Sequence, residues 1–148
     1  MGEPMRNRWL IAGGLLSAAA ALLHLAVIVG GPDWYRFFGA GEALARAAER
    51  GSWVPALVTL GIATVLAIWS AYAFSGAGLI PRLPLIRTGL VTISAIYLAR
   101  GLILFPTLAL KPQLIDAFTV LSSLIVLVYG LAYAVGTWKS WALLSRKA

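Results

Sequence analysis

Long apolar runs, separated by short clusters of glycine, proline and charge, dominate the chain. The first charge-free run lies between Arg8 and Asp33, with its apolar body over residues 9–29. The second lies between Arg50 and Arg82 and covers 53–74. A third covers 85–105, apolar except for Arg87 near one end and Arg100 near the other, and a fourth covers 114–138. A helix needs about 20 residues, at about 1.5 Å each, to cross about 30 Å of hydrocarbon. None of the runs alternates with the period of a strand, and in lipid only helices and closed barrels satisfy their own backbone groups. The breakers fall between the runs: Gly30-Gly31-Pro32, Ser75-Gly76-Ala77-Gly78, Pro81 with Pro84, and Pro106 with Pro112. The pattern predicts an all-α integral membrane protein, a four-transmembrane-helix bundle forming one transmembrane domain over residues 1–148.

Composition agrees with the pattern. Of 148 residues, 61% are hydrophobic and 11% charged, whereas soluble domains carry about 45–50% apolar and about 25% charged residues. A domain this small cannot hide so much apolar side chain from water. The net charge of +7 sits at the ends of the apolar runs and not in one patch with interleaved aromatics, which argues for a membrane and against a nucleic-acid partner. There is no cysteine, and His24 is the single histidine. Disulfides, thiolate metal sites, dithiol chemistry and bis-histidine ligation within one chain are therefore excluded, and neither a metal nor a cofactor is expected.

Charge also sets an expected direction. With the N-terminus in the cytoplasm, the inner side carries Arg6, Arg8, Arg82, Arg87, Lys139, Arg146 and Lys147. The outer side carries Arg36, Arg46, Arg50 and Lys111, with Arg100 just inside the membrane, and also Asp33, Glu42, Glu49 and Asp116. Seven basic residues against five favour both termini inside a cell or inner membrane. Trp9, Trp138 and Trp141 would then mark the inner interface, and Trp34 and Trp53 the outer one. Arg6 and Arg8 before the alanines at 18–21 imitate a secretory leader, but the apolar run continues to Val29, longer than a leader's core, so a retained first span is expected.

Residues 30–52 form the one long connection. Its first part is aromatic, through Trp34, Tyr35, Phe37 and Phe38; its second is alanine-rich and helix-prone up to Arg50, with Gly51 placed as a C-cap. Glu42, Arg46 and Arg50 recur every four residues with Glu49 beside them, while Phe37, Leu44 and Ala48 point the other way. This predicts a short amphipathic helix between the first two spans. It is either an interfacial connector with solvated Glu–Arg pairs or a lid over a pocket, with Gly39 and Gly41 allowing close approach.

The candidate chemistry lies at one depth. Arg100 precedes Phe105 by five residues, and His24 precedes Val29 by five, so both sit about 7–9 Å below the outer ends of their helices. Tyr97 is one turn from Arg100, and Thr59, Thr119, Ser122 and Ser123 reach similar depths. An intramembrane arginine is costly unless it snorkels to headgroups or finds a partner. Pairing with Glu42, Asp116 or Asp33 around an outward-facing pocket is the alternative to snorkelling. In that reading the pocket binds a small hydrophobic or amphiphilic ligand such as a lipid, quinone or isoprenoid, with Arg100, Tyr97, Asp33, Trp34, Arg36 and Asp116 as ligand-binding residues. Were the site catalytic, His24 would transfer the proton, Glu42 would be the second acid or base, and Arg100 would stabilise negative charge. Membrane lipid is the expected partner.

Two other functions compete. Gly13, Gly14, Ser17, Ala18 and Ala21, with Gly130, Ala134 and Gly136, offer small-residue faces for bundle packing, and equally for a homo-oligomer or docking as an accessory subunit of a larger membrane complex. A transporter needs a polar route through both leaflets, and the inner half is too apolar to supply one. Small four-helix multidrug transporters carry a coupling carboxylate in the first helix, where this chain has His24 and no acid. The four-span topology resembles that of DoxX-type small membrane proteins, but no motif ties the chain to that family and none is assigned. No phosphate loop, metal-ligand cluster, nucleophile elbow or paired-carboxylate motif is present.

Overall fold

The computed structural model describes residues 6–145, so Arg146 and Lys147, counted above on the inner side, lie outside the described residues. The elements in chain order are α1 (Arg8–Gly30), α2 (Pro32–Phe37), α3 (Glu42–Glu49), α4 (Val54–Gly76), α5 (Ile86–Leu102), α6 (Leu104–Leu110), a 3-10 turn at Pro112–Leu114, α7 (Ala117–Lys139) and α8 (Trp141–Leu144). Four helical stretches are long and apolar enough to cross a membrane: Arg8–Gly30, Val54–Gly76, Ile86–Leu110 and Ala117–Lys139. Only 22–28% of the residues in the most apolar 18-residue window of each stretch are buried, and Leu15, Leu57, Ile68, Val91, Leu121 and Val128 are among the exposed side chains. A surface this apolar is stable in lipid and not in water. The protein is a small four-span integral membrane protein.

The third span is two helices, α5 and α6, meeting at Ile103. Pro106 accounts for the break. It has no N–H to offer the Leu102 carbonyl four residues back, and its ring crowds that carbonyl. Set in the first turn of α6, the same proline is tolerated, so helix continues to Leu110 where the sequence pattern ends the span at 105.

The chain packs as two compact units, one of Met1–Leu16 and Trp69–Ala148, the other of Ser17–Ile68. Parts of all four spans meet in the first unit and pack as a helical bundle. Leu10 of α1 is fully buried, set so close to α7 that a Cβ at Gly136 would come within 2.7 Å of it. At Gly76 of α4 an added Cβ would meet both Leu10 and Leu90 of α5. The α5–α7 contact is backbone-tight: a Cβ at Gly130 would stand 2.9 Å from the Leu98 backbone nitrogen, and one at Gly101 2.9 Å from the Leu127 Cα. Small residues let helices approach where lipid removes the hydrophobic drive to associate.

A few polar bonds fix the arrangement. Ser70 Oγ donates to the Gly14 carbonyl at 2.8 Å, joining α4 to α1. Tyr133 Oη donates to the Trp69 carbonyl at 3.0 Å, joining α7 to α4. Asn7 caps α1, its Oδ1 accepting from the N–H groups of Trp9 and Leu10. The Nδ2 of Asn7 meanwhile donates to the Gly136 carbonyl at 2.6 Å and Ser140 Oγ at 2.5 Å. The start of α1 and the end of α7 are thus tied together, as four crossings require.

At this end the cations lie on carbonyls and rings. Arg82 donates to the Leu143 and Leu144 carbonyls, completing the end of α8. The Arg87 guanidinium lies 4.1 Å from the ring centre of Trp141, and Lys139 Nζ 5.8 Å from that of Trp9.

The contact at Gly130 sets a stability prediction. Gly130→Leu must push α5 from α7, and overpacking of this kind costs about 1–3 kcal/mol. A lower midpoint in detergent thermal unfolding is expected, with Gly61→Leu as control, because an added Cβ there meets nothing within 4 Å.

Candidate functional site

The second unit carries the charged cluster. Gly31, with φ +72, turns the chain out of α1, and Pro32 opens α2 at a position that needs no N–H. The aromatic stretch is itself helical, and two short helices, α2 and α3, stand between the first two spans where the sequence pattern predicts one. Gly39 and Gly41, at φ +70 and +95, turn α2 into α3. An added Cβ at Gly41 would meet nothing, so that glycine serves the turn and not close approach. Trp34 lies across Gly30, where a Cβ would collide with its ring.

Tyr35, Val27 of α1 and Ala45 of α3 form a small buried core, with Phe38 and Ala48 packed against it. Phe37, placed by its helical register on the inward face, is instead 74% exposed. The register of α2 buries Tyr35, packs Phe38 just past the helix end against the same core, and turns Phe37 outward. Of the other two inward positions, Ala48 meets this core and Leu44 is half-buried.

Arg36 is the hub of the opposite face. Its Nε donates to Glu42 Oε2 at 2.9 Å and its Nη2 to Glu42 Oε1 at 3.1 Å, a two-point grip on one carboxylate. The same Nη2 reaches Glu49 Oε1 at 2.7 Å, and Nη1 reaches Asp33 Oδ1 at 3.4 Å. Arg46 Nε adds a bond to Glu42 Oε1 at 2.9 Å, from one turn further along α3. Glu42 therefore lies between two guanidinium groups. Arg36 first, then Arg46, pull its carboxyl from 4.5 down to about 2, and Glu42 and Glu49 raise Arg36 further above its already high value. A carboxylate so held is a weak proton acceptor near neutral pH; its geometry suits joining α2 to α3.

His24 is half-buried on α1, and its Nδ1 lies 2.7 Å from the Ala20 carbonyl. Because a carbonyl only accepts, Nδ1 carries a hydrogen in this bond. The histidine is thereby oriented by its own helix.

The remaining candidates lie in the first unit. Arg100 is exposed on α5, and its Nη1 donates to Ser123 Oγ of α7 at 3.1 Å, with Ser123 itself buried. The partner of this arginine is a hydroxyl; Asp33 and Glu42 are bonded to Arg36. Asp116 is the N-cap of α7, its Oδ1 accepting from the Thr119 N–H at 2.7 Å. The Thr119 hydroxyl and N–H both hold that carboxyl below its usual range. Tyr97, one turn from Arg100, is buried among aromatic rings, edge-on to Trp69 at 4.9 Å and Tyr129 at 5.5 Å, with Tyr133 at 5.4 Å. Asp33, Arg36 and Glu42 are thus brought together with Glu49 and Arg46, Arg100 is paired with Ser123, and Tyr97 is a core aromatic. Among the described residues no cluster of three or more His, Asp or Glu is placed to hold a metal ion. No family model, curated protein or solved structure matches the chain.

The Arg36 network makes a pH prediction. A carboxyl lowered on folding stabilises the folded form fully above its unfolded value near 4.5, and that contribution is lost as pH falls toward 2. Carboxyl-carbon NMR should show Glu42 titrating near 2 in the protein and moving back toward 4.5 in Arg36→Gln.

Proposed function

We propose that the protein binds an amphiphilic or hydrophobic membrane molecule at the outer surface, beside the hook formed by α2 and α3. The supporting observation is the construction of this hook. A Tyr35–Val27–Ala45 core seats it on the end of α1, the Arg36–Glu42–Glu49 network holds its two helices together, and Trp34 and Phe37 remain exposed beside the charges. Rigid aromatics next to fixed charge suit a molecule with an apolar body and a polar head.

The protein lies in a cell membrane with both termini in the cytoplasm and the hook outside. The asymmetry of Lys and Arg supports this direction. Because the chain has no cysteine, single cysteines report it directly. Gln113→Cys should react with a membrane-impermeant maleimide on intact cells and Ala142→Cys only after permeabilisation; the reverse pattern inverts the topology.

The binding reading is tested with a photoactivatable amphiphile carrying a short polar head, applied to the protein in nanodiscs. Labelling concentrated in the peptide containing Trp34 and Phe37, and reduced at least several-fold in Arg36→Gln, is the expected result. Labelling spread evenly along the exposed span faces, or unchanged in the variant, would overturn it.

A further inference from the structure

We infer that a groove between α5 and α7 is a binding site for one anionic phospholipid, seated in the leaflet that meets α8. Val91, Ser94 and Leu98 of α5 line it with Thr137 and Trp138 of α7, and Trp141 of α8 closes one end. Its volume is about 590 Å³, room for an acyl chain. All of it lies in the first unit.

Three features identify the occupant. The first is a buried hydroxyl without a partner. Thr137 is 4% exposed, and its Oγ1 makes no hydrogen bond. A buried polar atom left unsatisfied is costly in protein or lipid. Its neighbour in the groove, Ser94, avoids that cost by donating to the Leu90 carbonyl at 2.7 Å. Thr137 lines the groove and its hydroxyl has no acceptor within the chain; in an otherwise apolar groove the ester carbonyl of a glycerolipid is an acceptor of the right kind.

The second feature is the charge at the mouth. Arg87 falls on the face of α5 that carries Val91, Ser94 and Leu98, one turn before the first of them. Its guanidinium lies 4.1 Å from the ring centre of Trp141, so it is held at the closed end of the groove. A stacked guanidinium keeps its N–H fork available for a phosphodiester. Lys139 and Arg82 also belong to this end of the bundle, and no carboxylate pairs with any of these three cations among the described residues. The electrostatic preference is for an anionic head over a zwitterionic one.

The third is length. From Arg87 to Leu98 is eleven residues of helix, about 16 Å, close to half of a hydrocarbon core about 30 Å thick. Head at Arg87, ester at Thr137 and chain toward Leu98 follow the order of parts in a phospholipid across one leaflet. Trp138 and Trp141, both exposed, flank the level at which amphipathic rings settle.

The test is native mass spectrometry of the protein released from nanodiscs of mixed phosphatidylglycerol and phosphatidylcholine. One phosphatidylglycerol should remain bound per chain, enriched at least five-fold over its share of the bilayer. Arg87→Gln should abolish the enrichment, and Thr137→Val should lower retention of both lipids several-fold. Ala95→Trp, which fills the groove from an exposed position, should exclude lipid altogether, while Lys111→Gln should change nothing. Thermal unfolding in detergent checks that each variant is folded. Retention of both lipids in proportion to the bilayer, enrichment that survives Arg87→Gln in a folded protein, or a chain-to-chain dimer that excludes lipid from the groove would overturn the proposal.

Discussion

Lipid offers apolar side chains the same surroundings as another helix does, so in the membrane the hydrophobic effect gives the spans no reason to associate. Every inter-helix contact in the bundle has to be justified by packing or by hydrogen bonding. That constraint explains which residues sit where. Glycine is used where helices meet: Gly101 and Gly130 bring the backbones of α5 and α7 within van der Waals reach, and Gly136 admits Leu10. Dispersion between close-packed atoms then replaces the missing solvent term.

The same constraint governs the polar side chains. A hydroxyl in lipid must find an acceptor, and the nearest is often its own helix. Thr64, Ser94 and Thr107 take that route, each bonding the carbonyl four residues back. The exceptions hold the fold together. Ser70 and Tyr133 each donate to another helix's carbonyl, and both acceptors, at Gly14 and Trp69, already belong to helical backbone. The second lone pair of a helical carbonyl is available for this purpose. Asn7 goes further, capping α1 with its oxygen while its amide nitrogen closes on the end of α7.

This division also marks what a sequence can reveal. The spans were legible because length, apolarity and breakers are local properties, and bilayer thickness converts them directly into helices. Where local signals compete, the boundary moved. Pro106 reads as a terminator, yet in the first turn of α6 it merely interrupts the third span. The Glu42–Arg46 pair was visible as an i,i+4 spacing. The hub role of Arg36 was not, because its bonds reach 6 and 13 residues along the chain and exist only once Gly39 and Gly41 have folded α3 back on α2. Phe37 was assigned the inward face for a related reason: periodicity was continued back from α3, but α2 is a separate helix whose own register buries Tyr35 and exposes Phe37. Depth along a span placed Arg100 and Ser123 in one layer correctly, whereas depth carries no information on rotation, which buries Tyr97 among Trp69, Tyr129 and Tyr133.

The unequal treatment of charge follows from the surroundings of each group. In the hook, three carboxylates share the guanidinium groups of Arg36 and Arg46, so most of the charge is cancelled within the network and its contribution is to shape, with Trp34 and Phe37 beside it. At the start of α5, Arg82 and Arg87 are placed by carbonyls and by a ring, neither of which cancels a full charge. A cation held by dipoles and a π-face is fixed in position but still electrostatically unsatisfied. Such a group retains its attraction for an anion, and at the edge of a bilayer the most concentrated anions are lipid phosphates. Thr137, buried a turn away from Trp141 without an acceptor, repeats the same logic with a neutral donor.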